Sequence, residues 1–281
     1  MDASDAETAP AGGTAEAPGD RLAARSGDVD ARTELMGCPF DPITMADAVT
    51  RAIGWCRGER RPHTIVTINA ALIVAMRRDR DLARACRAGD LVVADGVPVV
   101  WASRLAGAPL PARVAGVDLM ARLLEIAAQQ RLRVFFLGAR EEVVRALVAR
   151  CAARYPGLVV AGYRNGYFGR ESDREVVDQI RRSGAAILFV GMPSPFKEVW
   201  CERHREDLGV PVIMGVGGSF DVLAGFIARA PPWMQAAGLE WLWRLALEPR
   251  RLWRRYLVTN TIFVARTVVE TIRRRNTVHA T

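Results

Sequence analysis

Cysteine is sparse and unpatterned in this chain. Cys38, Cys56, Cys86, Cys151 and Cys201 are odd in number, widely spaced and without a CxxC. Neither a disulfide framework nor a cysteine zinc site follows, and a reducing compartment is expected. Histidine is rarer still. His63, His204 and His279 are scattered, so no metal centre and no nucleophile–base triad suggests itself. Long apolar runs are missing too. A membrane-crossing helix needs about 18 such residues, and the best stretch, YLVTNTIFVARTVVETI, is broken by Arg266 and Glu270. The N-terminus has neither the basic start nor the apolar run of a secretory signal. There is no internal repeat, and no GxGxxG follows the first strand candidate, which weakens a dinucleotide-cofactor reading.

What is present divides the 281 residues into three parts. Residues 1–35 read as a disordered tail rich in Ala, Gly and Pro. Up to residue 34 they hold eight acids against three arginines, too little apolar content to order a fold. Residues 36–228 read as the core. Residues 229–281 hold ten arginines against three glutamates, so this segment carries +7 of the net +8. Such a basic region favours phosphates: nucleic acid, anionic lipid or a diphosphate ligand.

In the core, Val- and Ile-rich runs alternate with helical patterns. Strands are expected at 63–69, 91–95, 133–138, 158–163, 186–192 and 210–217. Helices are expected at 44–57, 70–87, 97–106, 118–130, 141–154, 173–183 and 195–207. The strands are apolar on both faces, as buried parallel strands are. The alternation predicts an α/β, doubly wound, mostly parallel Rossmann-like sheet. Ligands of such sheets bind beyond the carboxyl ends of the strands, so the residues there are the candidates.

Asp95 ends a strand and precedes Gly96. It is either a general base or a helix cap. Thr67 and Asn69 close a neighbouring strand, as catalytic neighbours or as strand-end hydrogen-bonding groups. Arg113, before a glycine turn and Asp118, suits a phosphate or carboxylate. Lys197 and Glu198 follow GMPSP at a helix start, either facing a ligand or standing as first-turn surface charges. The turn GVGGSFD offers Gly217 to a phosphate and Asp221 to a sugar hydroxyl or a helix cap. Asp28–Asp30 and Asp79–Asp81 form two DxD strings. One falls in the tail and one in a helix, so neither reads as a metal site.

The C-terminal segment includes GLEWLWRLALEPRRLWRRYL, with three tryptophans and five arginines. Helical periodicity runs from Leu239, breaks at Pro249 and resumes to about Arg274. A proline suits the first turn of a new helix, where its missing N–H costs nothing. The arginines and aromatics suit a membrane interface, a docked helix whose arginines reach a diphosphate, or a packed helix with solvated charges.

The blocks TINAALIVAM, LVVADGVPVVWASRL, RVAGVDLM, FFLGAR, GYFGRES, ILFVGMPSPFKE, VGGSFDVLAG and RAPPWMQAAGLEWLWRLALEPRRLWRRY are specific through their order and spacing. Together, from about Met36 to Leu257, they resemble the WecG/TagA/CpsF glycosyltransferases of cell-envelope and exopolysaccharide biosynthesis. The resemblance implies an inverting transferase that moves a sugar from a UDP-sugar to a polyprenyl-diphosphate-linked sugar. N-acetylmannosamine, its uronic acid and glucose are the donor sugars it allows. It implies no cofactor and no metal, with the enzyme peripheral on the inner face of the cytoplasmic membrane, an anionic surface. It places the base on Asp95, its assisting threonine on Thr67, and the diphosphate-binding arginines on Arg244, Arg251 and Arg254. Lys197 departs from the family's usual Gln, which bears on donor identity. A homo-oligomer is a further partner to consider. Nucleic acid is not expected as a partner. A nucleotide-cofactor enzyme and a non-catalytic module binding anionic membrane or nucleic acid are the rival readings.

Overall fold

A computed structural model describes residues 32–58 and 61–278. The described chain opens on an antiparallel hairpin, β1 (Thr33–Leu35) and β2 (Cys38–Phe40). Leu35 and Phe40 are fully buried. The tail expected through residue 35 is thus replaced at its end by ordered strand; residues 1–31, including Asp28 and Asp30, lie outside the described residues. Helices and strands then alternate: α1 (Met45–Arg57), β3 (His63–Ile68), α2 (Ala70–Met76), α3 (Arg80–Arg87), β4 (Leu91–Ala94), α4 (Val97–Leu105), α5 (Gly116–Gln129), β5 (Arg133–Gly138), α6 (Glu141–Arg154) and β6 (Val159–Arg164). They continue with α7 (Asp173–Ser183), β7 (Ile187–Gly191), α8 (Phe196–Leu208), β8 (Val212–Gly215) and α9 (Ser219–Leu223). The chain closes with α10 (Pro232–Ala236), α11 (Glu240–Leu247) and α12 (Pro249–Val278).

Strands β3 to β8 form one parallel sheet in the order β4-β3-β8-β7-β5-β6. This is the expected doubly wound α/β architecture. Alternate residues of each strand feed opposite cores, as a pleated strand requires. Phe136 and Phe189 join Leu119, Leu123 and Phe220 of α5 and α9 on one face. Phe135 and Leu188 join Ile180 and Trp200 of α7 and α8 on the other. At the β4 end of that second face, Ile68 and Val92 pack with Leu72 and Leu82 of α2 and α3. The edge strand β6 is the most open of the six, with no buried residue.

Two local choices differ from the sequence expectation. The helix expected over 70–87 is two helices. Asp79 takes an extended backbone, and its side chain accepts from the Leu82 N–H at 2.9 Å, so it caps α3. Capping satisfies a donor that a helix start leaves unpaired. Asp81 instead pairs with Arg84, so the second DxD string is a cap and a surface ion pair. Helical periodicity is expected only from Leu239, yet Pro232 in RAPPWMQ already begins the short helix α10. Pro249 opens α12 as its chemistry predicts.

The C-terminal helices share the core. Phe263 of α12 is buried within the cluster of Leu72 and Ile73 from α2. The described residues all belong to one compact unit. Trp241 and Tyr256 meet edge to face at 5.9 Å, locking α11 to α12. The Trp243 indole donates to the Ala228 carbonyl at 3.0 Å, and Trp253 stays about half exposed.

Candidate active site

Because the strands are parallel, their carboxyl ends share one edge. Thr67 of β3 pairs in register with Val93, and the Asp95 N–H donates to the Ile68 carbonyl at 2.9 Å. Asp95 therefore stands at the lip of the sheet beside the end of β3. The chain turns away at Gly96, whose φ of 143° few L-residues adopt. Gly96 itself is the cap position of α4 and carries no side-chain cap. Asp95 thus does not cap α4; its carboxylate faces the start of α5, where it accepts from the Gly116 N–H. A methyl group placed on Gly116 would lie 3.2 Å from Thr67 Oγ1 and 3.7 Å from Asp95 Oδ2. Two chemically active side chains therefore converge on a spot kept open by a glycine.

Burial pushes the Asp95 carboxyl above the usual carboxylate range, and the Glu240 carboxylate pushes it further. Arg113, Arg244 and the Gly116 backbone N–H pull it back. A base needs this balance: basic enough to accept a proton, yet surrounded by enough positive charge to ionise.

Arg113 is held by two carboxylates. It donates to Glu240 Oε2 at 2.5 Å and to Asp118 Oδ2 at 3.3 Å. Asp118 is gripped in turn by Arg229 through two contacts of 2.7 Å. The series Arg229–Asp118–Arg113–Glu240 alternates in sign and stitches the C-terminal segment to the core beside Asp95.

Arg244 lies one helical turn beyond Glu240 and is exposed. Its side chain makes no hydrogen bond or ion pair among the described residues. Both Nη atoms lie 3.9 Å from where a Cβ on Gly218 would be, and its charge is felt at Asp95. It thus bridges the gap between the carboxylate and the glycine turn after β8. In that turn Gly217 has φ of 51°, which favours glycine, and Gly218 precedes α9. Asp221 is partly buried in the first turn of α9.

Lys197 and Glu198 are neither surface charges nor an open ligand face. Both are 7% exposed. Lys197 is the only lysine of the chain. Its ammonium donates to Ser194 Oγ at 2.7 Å and pairs with Glu198, while Ser194 donates to Glu198 at 2.8 Å. The methylene stem runs under the glycine turn, with Cε 3.1 Å from a Cβ placed on Gly215. Glu198 Oε2 is buried without a partner among the described residues, beside a cavity of about 20 Å³ that Thr67 also lines. Lys197 thus supports the turn from beneath.

The remaining expected residues are dispersed or committed. Asn69 caps α2, its Oδ1 accepting from the Leu72 N–H at 3.0 Å, so the strand-end reading holds for that atom. Arg254 is exposed on α12, its guanidinium over the Trp253 ring at 5.2 Å, and no contact ties it to Asp95. The Arg251 side chain lies outside the described residues. Three contributors escaped the sequence reading: Gly116, Arg229 and Glu240. The latter two stand inside the quoted block RAPPWMQAAGLEW, but their partners are 111 and 127 residues away. Local spacing carries no trace of such a contact. Among the described residues no group of His, Cys, Asp or Glu is arranged to hold a metal ion.

The family model described as "Glycosyl transferase WecG/TagA/CpsF family" matches residues 33–277. The chain belongs to that glycosyltransferase family. The match starts at β1 and runs through α12, so the C-terminal helices are part of what the family shares. Similar curated enzymes carry the name N-acetylglucosaminyldiphosphoundecaprenol N-acetyl-beta-D-mannosaminyltransferase. That of Bacillus subtilis (strain 168) is 37% identical over 194 residues, 69% of this chain and 74% of its own. That of Staphylococcus aureus (strain NCTC 8325 / PS 47) is 33% identical over 225 residues, 80% and 88% of the two chains. The strand-end lip around Asp95 is the candidate active site of this glycosyltransferase.

Proposed function

We propose that this glycosyltransferase moves a sugar from a UDP-sugar to a sugar carried on polyprenyl diphosphate, with inversion and without a divalent metal. The observation that carries the reading is the convergence of Thr67 and Asp95 on Gly116, with the Arg244 guanidinium between Asp95 and the glycine turn. Asp95 accepts the proton of the acceptor hydroxyl as that oxygen attacks the anomeric carbon. The bond to the UDP oxygen breaks on the opposite face, so one displacement inverts the centre. Charge builds on the departing diphosphate. Arg244 and the Gly218 backbone N–H would supply the preorganised positive charge that stabilises it, while the Gly217 N–H donates to the Val190 carbonyl.

The names of the relatives favour an N-acetylmannosamine donor and an acceptor of N-acetylglucosamine on undecaprenyl diphosphate. A lipid-borne acceptor requires a site near a bilayer. No described helix is long and apolar enough to cross a membrane. However, Trp253, Leu257, Val264, Val268 and Ile272 recur at helical spacing on α12 and are all exposed. Arginines beside such a stripe attract anionic headgroups, and tryptophan prefers the interface. This supports peripheral attachment to the inner face of the membrane.

The test is a UDP-sugar panel offered with a short-chain polyprenyl-diphosphate N-acetylglucosamine analogue, read by mass spectrometry. Addition of one N-acetylhexosamine from the mannosamine donor is expected. Absence of transfer from every donor would overturn the proposal.

A further inference from the structure

Glu240 has no role in the displacement described above, yet it is the only carboxylate that α11 brings to the Asp95 lip. It donates nothing and accepts from Arg113 at 2.5 Å, across 127 residues of sequence. Its side chain is about two-thirds buried, and that of Arg113 more so, at 16% exposure. A paired, partly desolvated ion pair is held more tightly than a surface pair. With its other fork nitrogen on Asp118, the Arg113 guanidinium is fixed in orientation.

We infer that Glu240 is a positioning residue of the transferase. It orients Arg113, whose neighbour Val114 donates to the Ala94 carbonyl at 2.9 Å and so holds that loop against the end of β4 beside Asp95; docking of α11 thereby fixes the charge around the base. This rests on the reading of Asp95 as the general base. Charged groups reach Asp95 from each side. Arg113 comes from the loop before α5, Arg229 from the connector before α10, and Glu240 and Arg244 from α11. Thr67 of β3 and the Gly116 N–H are the neutral neighbours. Of these, Glu240 alone is negative. Its effect opposes that of the arginines: it keeps Asp95 from becoming a carboxylate too weakly basic to accept a proton. A purely structural clasp would hold the helix equally well but would leave no mark on the titration of Asp95.

The experiment is a ¹³C NMR titration of aspartate-labelled full-length protein, with the Asp95 resonance assigned by its loss in Asp95→Asn. In Glu240→Gln the Asp95 midpoint is expected to move to lower pH. The acid limb of kcat/KM is expected to move with it. An unmoved midpoint in folded Glu240→Gln overturns the inference. If circular dichroism shows that Glu240→Gln does not fold, Glu240→Asp replaces it. Its shorter carboxylate withdraws from the site, so the midpoint is expected to fall by less, and no movement again overturns the inference. The titration needs no turnover. A failed sugar-transfer assay with a moved midpoint therefore rejects the proposed function and leaves the electrostatic coupling intact. Transfer with an unmoved midpoint rejects the coupling alone.

Discussion

Arg229 and Asp118 meet through two nitrogen–oxygen contacts of 2.7 Å, although 111 residues separate them in the chain. This parallel fork fixes both orientation and distance. It ties the C-terminal segment to the first turn of α5, next to the loop that presents Arg113. Substituting Arg229→Gln is expected to cut kcat/KM by about tenfold or more, because Arg113 and Asp95 lose their anchored surroundings. Steady-state kinetics with thermal unfolding beside it checks this. Unchanged kinetics would show that the tie is not used.

Asp95→Asn is expected to lower turnover by about 10²–10⁴-fold, the usual range for loss of a general base. Binding of UDP-sugar by calorimetry should persist. Wild-type turnover in this variant removes Asp95 from the mechanism.

The same variant carries a stability signature. Burial raises the Asp95 carboxyl in the folded state above its unfolded value. A raised carboxyl binds its proton more tightly when folded. Its contribution is fully favourable below the ordinary aspartate range and is lost as pH rises through the raised value. At neutral pH the charged form is therefore a net cost, and Asp95→Asn should melt higher than wild type. That gain should shrink as the pH is lowered into the ordinary carboxylate range. Thermal melts of both proteins across pH would show it, and an equal difference at every pH would contradict it.

Lys197 and Glu198 form a pair out of water, and removing one partner strands the other. Lys197→Met is expected to destabilise the fold by about 3–5 kcal/mol, as for other broken buried pairs. Adding Glu198→Leu should recover much of that loss. Denaturant unfolding of the single and double variants measures the coupling.

Chelation and surface charge address the proposed setting of the reaction. Transfer should continue in EDTA; loss that Mg²⁺ restores would reject the metal-free step. Replacing both Leu257 and Val264, which are 62% and 60% exposed, by Glu should weaken co-sedimentation with anionic liposomes and leave the melting temperature nearly unchanged. Retained liposome binding would move the attachment elsewhere, and a change in oligomeric state instead would assign the stripe to a second copy of the chain.

The sheet was legible because its strands announce themselves: ILFVG and RVFFLG are apolar on both faces and are bounded by turns. Asp95 was legible as a strand-end carboxylate, base or helix cap alike; the family resemblance singled out the base, and the fold adds only that it does not cap α4. The break after Met76 was not, since Asp79 inside a helical pattern looks the same as Asp79 starting a second helix. Nor was the burial of Lys197. A charged pair after two prolines reads equally as a ligand face or a solvated first turn until the glycine turn is folded over it. The clasp was the least legible part. Each of its four charges has an ordinary local explanation, and only the tertiary fold brings them into line.

Arg229, Asp118, Arg113 and Glu240 alternate in sign, so the series sums to no net charge. Changing any one member leaves an unbalanced unit charge next to Asp95, the proposed proton acceptor, and two changes of opposite sign restore the sum. Substitution at these four places is therefore expected to be best tolerated in compensating pairs. Arg244, which stands outside the series, has no such insurance.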